Sequence, residues 1–164
     1  MKYLIGFVLG VLLTVLAYEP DTATQMPTEW YGSQEAKEVA ENVLLSQKEI
    51  GGWEKNKAYH HPFSESEKAH YTQEKAEIGA KFDNDATITA LRILAKVYAQ
   101  IKDNRYRQAF EKGLNYIFLA QYENGGWPQF FPLRKGYYSH ITFNDNAMVN
   151  ILRFLDEIIA DNKT

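Results

Sequence analysis

Two stretches of this chain repeat each other, and the repeat limits the fold more than any other feature. Leu44-Leu45-Ser46-Gln47-Lys48-Glu49-Ile50-Gly51-Gly52-Trp53 is echoed by Phe118-Leu119-Ala120-Gln121-Tyr122-Glu123-Asn124-Gly125-Gly126-Trp127. Phe82-Asp83-Asn84-Asp85-Ala86 is echoed by Phe143-Asn144-Asp145-Asn146-Ala147. Each unit reads as a helix ending in Gln-x-x-x-Gly-Gly-Trp, then a loop, then a helix opening on a Phe-Asp/Asn cluster. A helical hairpin used twice predicts stacked hairpins. Stacks of this kind close into toroids, where loops at one end line a cleft.

Hydrophobic periodicity places the helices. Ala36, Val39, Ala40, Val43 and Leu44 give a helix over 33–47 with Ser33 as N-cap, ended by Gly51-Gly52. A second covers about 84–101, capped by Asp83 or Asn84, and a third about 106–121. The last covers about 144–160. Residues 55–75 are polar and read as a long loop. Strand alternation is confined to a hint at 129–131. The fold class predicted is all-α, an incomplete α/α toroid built of helical hairpins.

The chain begins with Met1-Lys2, an apolar run from Tyr3 to Ala17, and then the polar Tyr18-Glu19-Pro20-Asp21. A positive charge, a short apolar run and a small residue near its end match a secretory signal peptide over 1–17. The run is shorter than a membrane-spanning helix needs, so no stable membrane anchoring is expected. The expected location is secreted or periplasmic. Residues 18–28, rich in Pro, Thr and Asp, read as a disordered linker. The folded part is then 29–164.

Charge narrows the partners. The formal net charge is −3, with no Lys/Arg stripe, which argues against nucleic acid. A polyanionic substrate stays possible, because a local basic groove can sit on a mildly acidic protein. Absence of cysteine removes disulfides, thiolate nucleophiles and zinc–thiolate sites. Aromatic residues reach 14%, a composition suited to stacking surfaces.

Four groups of residues are candidates for chemistry. Trp53 and Trp127 stand just beyond helix ends; either is a core plug between hairpins, or Trp127, with Gln129 close behind, is a stacking wall for a sugar ring. Asn144, Asp145 and Asn146 open the last helix, with Arg134, Tyr137, Tyr138 and His140 upstream. Caps account for one or two of that trio, while Asp145 and Asn146 offer oxygen donors to a hard cation such as calcium. Lys55, Asn56 and Lys57 form a small basic patch that suits an acidic sugar or a plain exposed loop. His60, His61 and His70 lie among Glu65, Glu67 and Glu74 at spacings that suit a solvated loop better than a transition-metal site.

The strings from Gln47 to Asn56, Phe82 to Thr87, Gln121 to Leu133 and Tyr137 to Met148 resemble polysaccharide lyase family 10, the pectate lyases. The match runs in order from about Asn42 to Leu155. The resemblance implies an α/α toroid whose central cleft binds polygalacturonate (pectate) and cleaves it by anti β-elimination. In that chemistry calcium neutralises the C6 carboxylate, an arginine removes the C5 proton, and the 4-linked sugar departs. Asp145 would be the acidic catalytic residue and calcium ligand. Asn146, Asn144, Trp127, Gln129, His140, Lys55 and Asn56 would bind substrate.

The resemblance also implies that 29–164 corresponds to the N-terminal half of the family's catalytic domain, because family members carry the arginine base and another acid further on. Arg134 and Arg153 sit outside the matching motif. The chain is therefore expected to be a lyase weak or inactive alone, with two alternatives. One is a non-catalytic galacturonan-binding module; the other is a fragment needing a complementary C-terminal half.

Overall fold

The structure is a computed structural model that describes residues 20–161. The expected signal peptide at 1–17 lies outside the described residues. The described residues form five α-helices: α1 (Gln34–Ser46), α2 (Glu65–Gln73), α3 (Ala86–Ile101), α4 (Asn104–Ala120) and α5 (Ala147–Asp161). No strand occurs among the described residues; the hint at 129–131 shrinks to one antiparallel bridge, Lys81 with Phe130. The all-α expectation holds. Among the described residues, no helix is long and apolar enough to cross a membrane.

α3 is the hub. Its Ile88, Leu91, Ile93, Leu94 and Val97 are fully buried, and it packs against α4, α1 and α5. α3 and α4 approach closely because Gly113 has no side chain. A Cβ there would lie 2.7 Å from both Leu91 Cδ2 and Trp53 Cζ3.

Both Gly-Gly-Trp corners are built alike. At the end of α1 the Gln47 N–H donates to Leu44 O (3.4 Å), which leaves the Val43 carbonyl without its helical donor. The Trp53 indole folds back and donates to that carbonyl at 2.8 Å. At the end of α4 the Gln121 N–H goes to Phe118 O, and the Trp127 indole donates to Ile117 O at 2.9 Å. The glutamines do parallel work: Gln47 Nε2 donates to Gly51 O at 2.8 Å, and Gln121 Nε2 to Gly125 O at 3.1 Å. Gly51 and Gly125 both have positive φ, 109° and 87°. At Gly51 a Cβ would also lie 2.5 Å from the Lys112 carbonyl oxygen. The motif is thus a device for ending a helix and satisfying its last carbonyls.

Three expectations need correction. Residues 55–75 are not all loop, since they contain α2. That helix buries no residue and has no apolar stripe; it is held by a capping box in which Ser64 Oγ accepts from Glu67 N–H while Glu67 accepts from Ser64 N–H. Those bonds, with His61 beside it, pull the Glu67 pKa down to about 2. The stretch 18–28 is not a free linker where it is described. Pro20–Thr24 and Thr28–Gly32 form 3-10 turns, Ala23 is buried against the core, and Lys96 Nζ donates to Thr24 O at 2.5 Å. Turns this short show no period in a sequence. The helices expected from 84 and 144 begin at Ala86 (α3) and Ala147 (α5), and no side-chain cap bond forms at the start of α3.

Candidate functional site

The two Asp/Asn clusters are explained by backbone conformation. Asn84 and Asp85 have φ of 49° and 54°; Asp145 and Asn146 have 48° and 56°. Asn and Asp tolerate the left-handed region better than other non-glycine residues, so each turn needs them in tandem. Neither Asp83 nor Asn84 caps α3, because no side-chain cap bond forms there. The two turns are in contact, and Asn150 Nδ2 on α5 donates to Asp85 Oδ1 at 2.6 Å.

Asp83 is the centre of the site, 2% exposed. Its Oδ1 accepts from Gln129 Nε2 at 2.9 Å, and its Oδ2 is ion-paired with Lys55 Nζ. The Asp145 carboxyl lies within hydrogen-bonding reach of the same carboxylate. Asp145 itself is exposed, and its Oδ2 accepts from Asn144 Nδ2 at 2.8 Å. Gln129 is carried there by a loop strapped to the first hairpin, with Phe82 N–H donating to Gln129 O and Thr142 N–H to Trp127 O. Gln129 is 4% exposed, and its Oε1 has no hydrogen-bond partner among the described residues. A buried carbonyl oxygen left in that state is costly unless something else meets it.

Charges around the pair follow from this geometry. Burial pushes Asp83 up, but the hydrogen bonds from Lys55 and Gln129 and the contact with Asp145 outweigh it, so its carboxylate sits below the ordinary range. Asp145 is pushed up, chiefly by the hydrogen bond shared with Asp83. Lys55 is held above the ordinary lysine value, first by Asp83. Lys81 is lowered, by burial and then by Arg134 nearby. Lys81 and Arg134 both lie over the Phe130 ring, 5.2 and 4.5 Å from its centre. The rim therefore gathers Lys55, Lys81 and Arg134 beside two carboxylates.

A depressed Asp83 pKa has a signed consequence for stability. Its contribution is present above the unfolded value near 3.8 and is lost as pH falls through the lower folded value. Asp83→Asn should therefore flatten the acid limb of a stability-versus-pH curve measured by urea unfolding. An acid limb as steep as wild type would remove Asp83 from that role.

The sequence-predicted residues divide as follows. Asp145, Asn144, Gln129 and Lys55 come together. Asn146 is exposed one residue beyond Asp145, and Asn56 is exposed in a left-handed turn next to Lys55. His140 is exposed in the same loop; its hydrogen bond to Tyr137 O runs from the backbone N–H. Trp127 is not a stacking wall. It is 2% exposed and its indole N–H is spent on the Ile117 carbonyl. The aromatic face at the rim belongs to Tyr137, 65% exposed, 4.0 Å centre to centre from Tyr138 and within electrostatic range of both carboxylates. Asp83 and Lys81 were not singled out from sequence as site residues. Asp83 lay in a motif read as a cap, and no pattern marks Lys81.

Comparisons with known proteins give the family and the fold. The family described as Pectic acid lyase matches residues 47–164. Among solved structures, a Family 10 polysaccharide lyase from Cellvibrio cellulosa is similar with a TM-score of 0.63 and 33% identity. A mutant of that lyase in complex with trigalaturonic acid gives 0.62 and 32%. Each match covers 84% of this chain and 40% of the other, so the chain spans well under half the length of these relatives. No curated protein matches it. By its motifs, its fold and the span of the family match, this chain belongs to the pectic acid lyase family.

Proposed function

We propose that the rim around Asp83 and Asp145 binds polygalacturonate as part of a calcium-assisted lyase cleft. The observation that carries this reading is the convergence of an exposed carboxylate, a fixed ammonium and an unsatisfied amide oxygen at one place. A chain of acidic sugars offers carboxylates for Lys55, Lys81 and Arg134, and ring faces for Tyr137. The Cellvibrio relative in complex with trigalaturonic acid supports the substrate class.

The donor set fits calcium in part. Asp145 and the amide oxygen of Asn146, both on exposed residues, are hard oxygen donors of the kind calcium takes. Among the described residues no group of three or more His, Asp or Glu could hold a metal, so water and the sugar's carboxylate would complete the shell. When bound there, calcium would supply Lewis-acid polarisation of the C6 carboxylate and so acidify the C5 proton. The chain's own residues do the rest: Asp145 holds the cation side, Lys55 orients a uronate carboxylate, and Tyr137 sets the ring plane. The base that takes the C5 proton must lie within hydrogen-bond reach of it. By resemblance that arginine belongs to the part of the family that follows this one.

The test is calorimetry of the chain with oligogalacturonate, with and without calcium, alongside ultraviolet absorbance of an unsaturated product. Calcium-dependent binding is expected. Product would mark a lyase in its own right, and binding without product a galacturonan-binding module. No binding under either condition would end this reading. A second reading is favoured by α5, where Leu152 and Ile159 are 51% and 54% exposed on one face with Leu155 between them. Together with exposed Phe118 and Leu119 on α4, they suit the helices of a complementary C-terminal half. Export by residues 1–17 belongs to the same proposal, since polygalacturonate is an extracellular polymer.

A further inference from the structure

Both Asp83 carboxylate oxygens already have protein partners. One carboxylate oxygen is taken by the Gln129 amide and the other by the Lys55 ammonium. Asp145, by contrast, is exposed and gives one oxygen to Asn144. Two carboxylates within hydrogen-bonding reach repel each other, and the deeper one could not stay charged unpaired. Lys55 answers both problems. Its side chain reaches the rim, 35% exposed, so the ammonium stands at the mouth while its charge serves the buried acid. The equivalent of Asp83 in the second repeat is Asn144, an uncharged amide in an exposed turn, so the device belongs to the first repeat alone.

We propose that Lys55 is the resident counter-cation of the Asp83–Asp145 pair, and that Asp83, braced by Gln129, is the positioning residue that keeps it there. A divalent cation then reaches Asp145 but not Asp83, and the trio presents a net charge of only −1. Calcium affinity rises over decades with the number of carboxylates offered. The site is therefore weak for calcium by itself and relies on the acidic sugar to bring a second carboxylate. This inference rests on the lyase reading for the identity of the cation.

Calcium titration of the full chain without sugar, read by calorimetry or by terbium luminescence and its displacement, tests it. Lys55→Met keeps the length of the stem and removes the charge, freeing the second carboxylate. It should bind calcium about tenfold tighter than wild type or better. Lys55→Met combined with Asp83→Asn should return to wild-type affinity, and Lys55→Arg should never leave it. The melting temperature of Lys55→Met should also rise more with calcium than that of wild type, because the ion binds only the folded form. If the variant melts without cooperativity in the absence of metal, added calcium should restore the transition. A Lys55→Met protein that binds calcium no tighter, or a gain that survives in the double variant, overturns the proposal. So does failure of calcium to restore folding. Loss of oligogalacturonate binding by the wild-type chain would instead sink the lyase reading, leaving the metal comparison intact.

Discussion

Trp127→Ala should lower stability by about 4 kcal/mol in denaturant unfolding, and Trp53→Ala by a similar amount. Both indoles are essentially fully buried. Each substitution empties a large volume between hairpins and strips a donor from a helix-terminal carbonyl, Ile117 O in one case and Val43 O in the other. Val43 O keeps the Ser46 hydroxyl as a donor, so Trp53→Ala is chiefly a cavity loss. At Trp127 the two losses add, because the cavity removes dispersion and burial while the orphaned Ile117 carbonyl keeps its desolvation cost. Trp→Phe separates them: it keeps most of the ring and should cost about 1–2 kcal/mol for the carbonyl, with a smaller cavity cost besides. The result that would contradict this account is a Trp127→Ala protein as stable as wild type but unable to bind oligogalacturonate. That outcome would return Trp127 to the sugar.

Asp145→Asn should weaken calcium-dependent oligogalacturonate binding by about a hundredfold, on the order of 3 kcal/mol. Asparagine keeps the size of the side chain and tolerates the left-handed backbone at φ 48°, so the turn should survive. Alanine is the poorer probe, since it adds backbone strain of about 1–2 kcal/mol at that position. What asparagine removes is the negative charge at the exposed end of the pair, the one carboxylate that Lys55 and Gln129 do not already occupy. Thermal melting of the variant should match wild type closely. Unchanged binding by a folded Asp145→Asn protein would place the cation site elsewhere.

The two experiments divide the molecule at the point where its sequence was and was not legible. Helices α1, α3, α4 and α5 were readable because each lays an apolar stripe against a common core. Helix α2 was not, since it buries no residue fully and rests on one aromatic contact, Tyr71 stacked on Phe63, together with local capping. Its Ser64-x-x-Glu67 pair was nevertheless a visible start signal. The paired Gly-Gly-Trp corners were recognised as one motif used twice, and the structure gives both copies the same hydrogen bonds. Whether the indoles faced a ligand or the core was not readable, because the same residues at the same spacing serve either purpose.

The site shows the same division. Asp145, Asn144, Gln129 and Lys55 were named from clustering and from the family motif, and they meet. Asp83, at a position that suits a cap, is a buried ion-pair partner instead. Its partners are Lys55, Gln129 and Asp145, and Gln129 lies 46 residues away. No local pattern records a contact of that range.

What the sequence alone determined was the repeat, the helices with apolar faces, and membership of a lyase family, because each is written in spacing along one segment. Tertiary structure alone decided which tryptophan was core, which carboxylate was buried, and which cation answered it. Burial and charge pairing are properties of neighbours in space, and here the neighbours come from different hairpins.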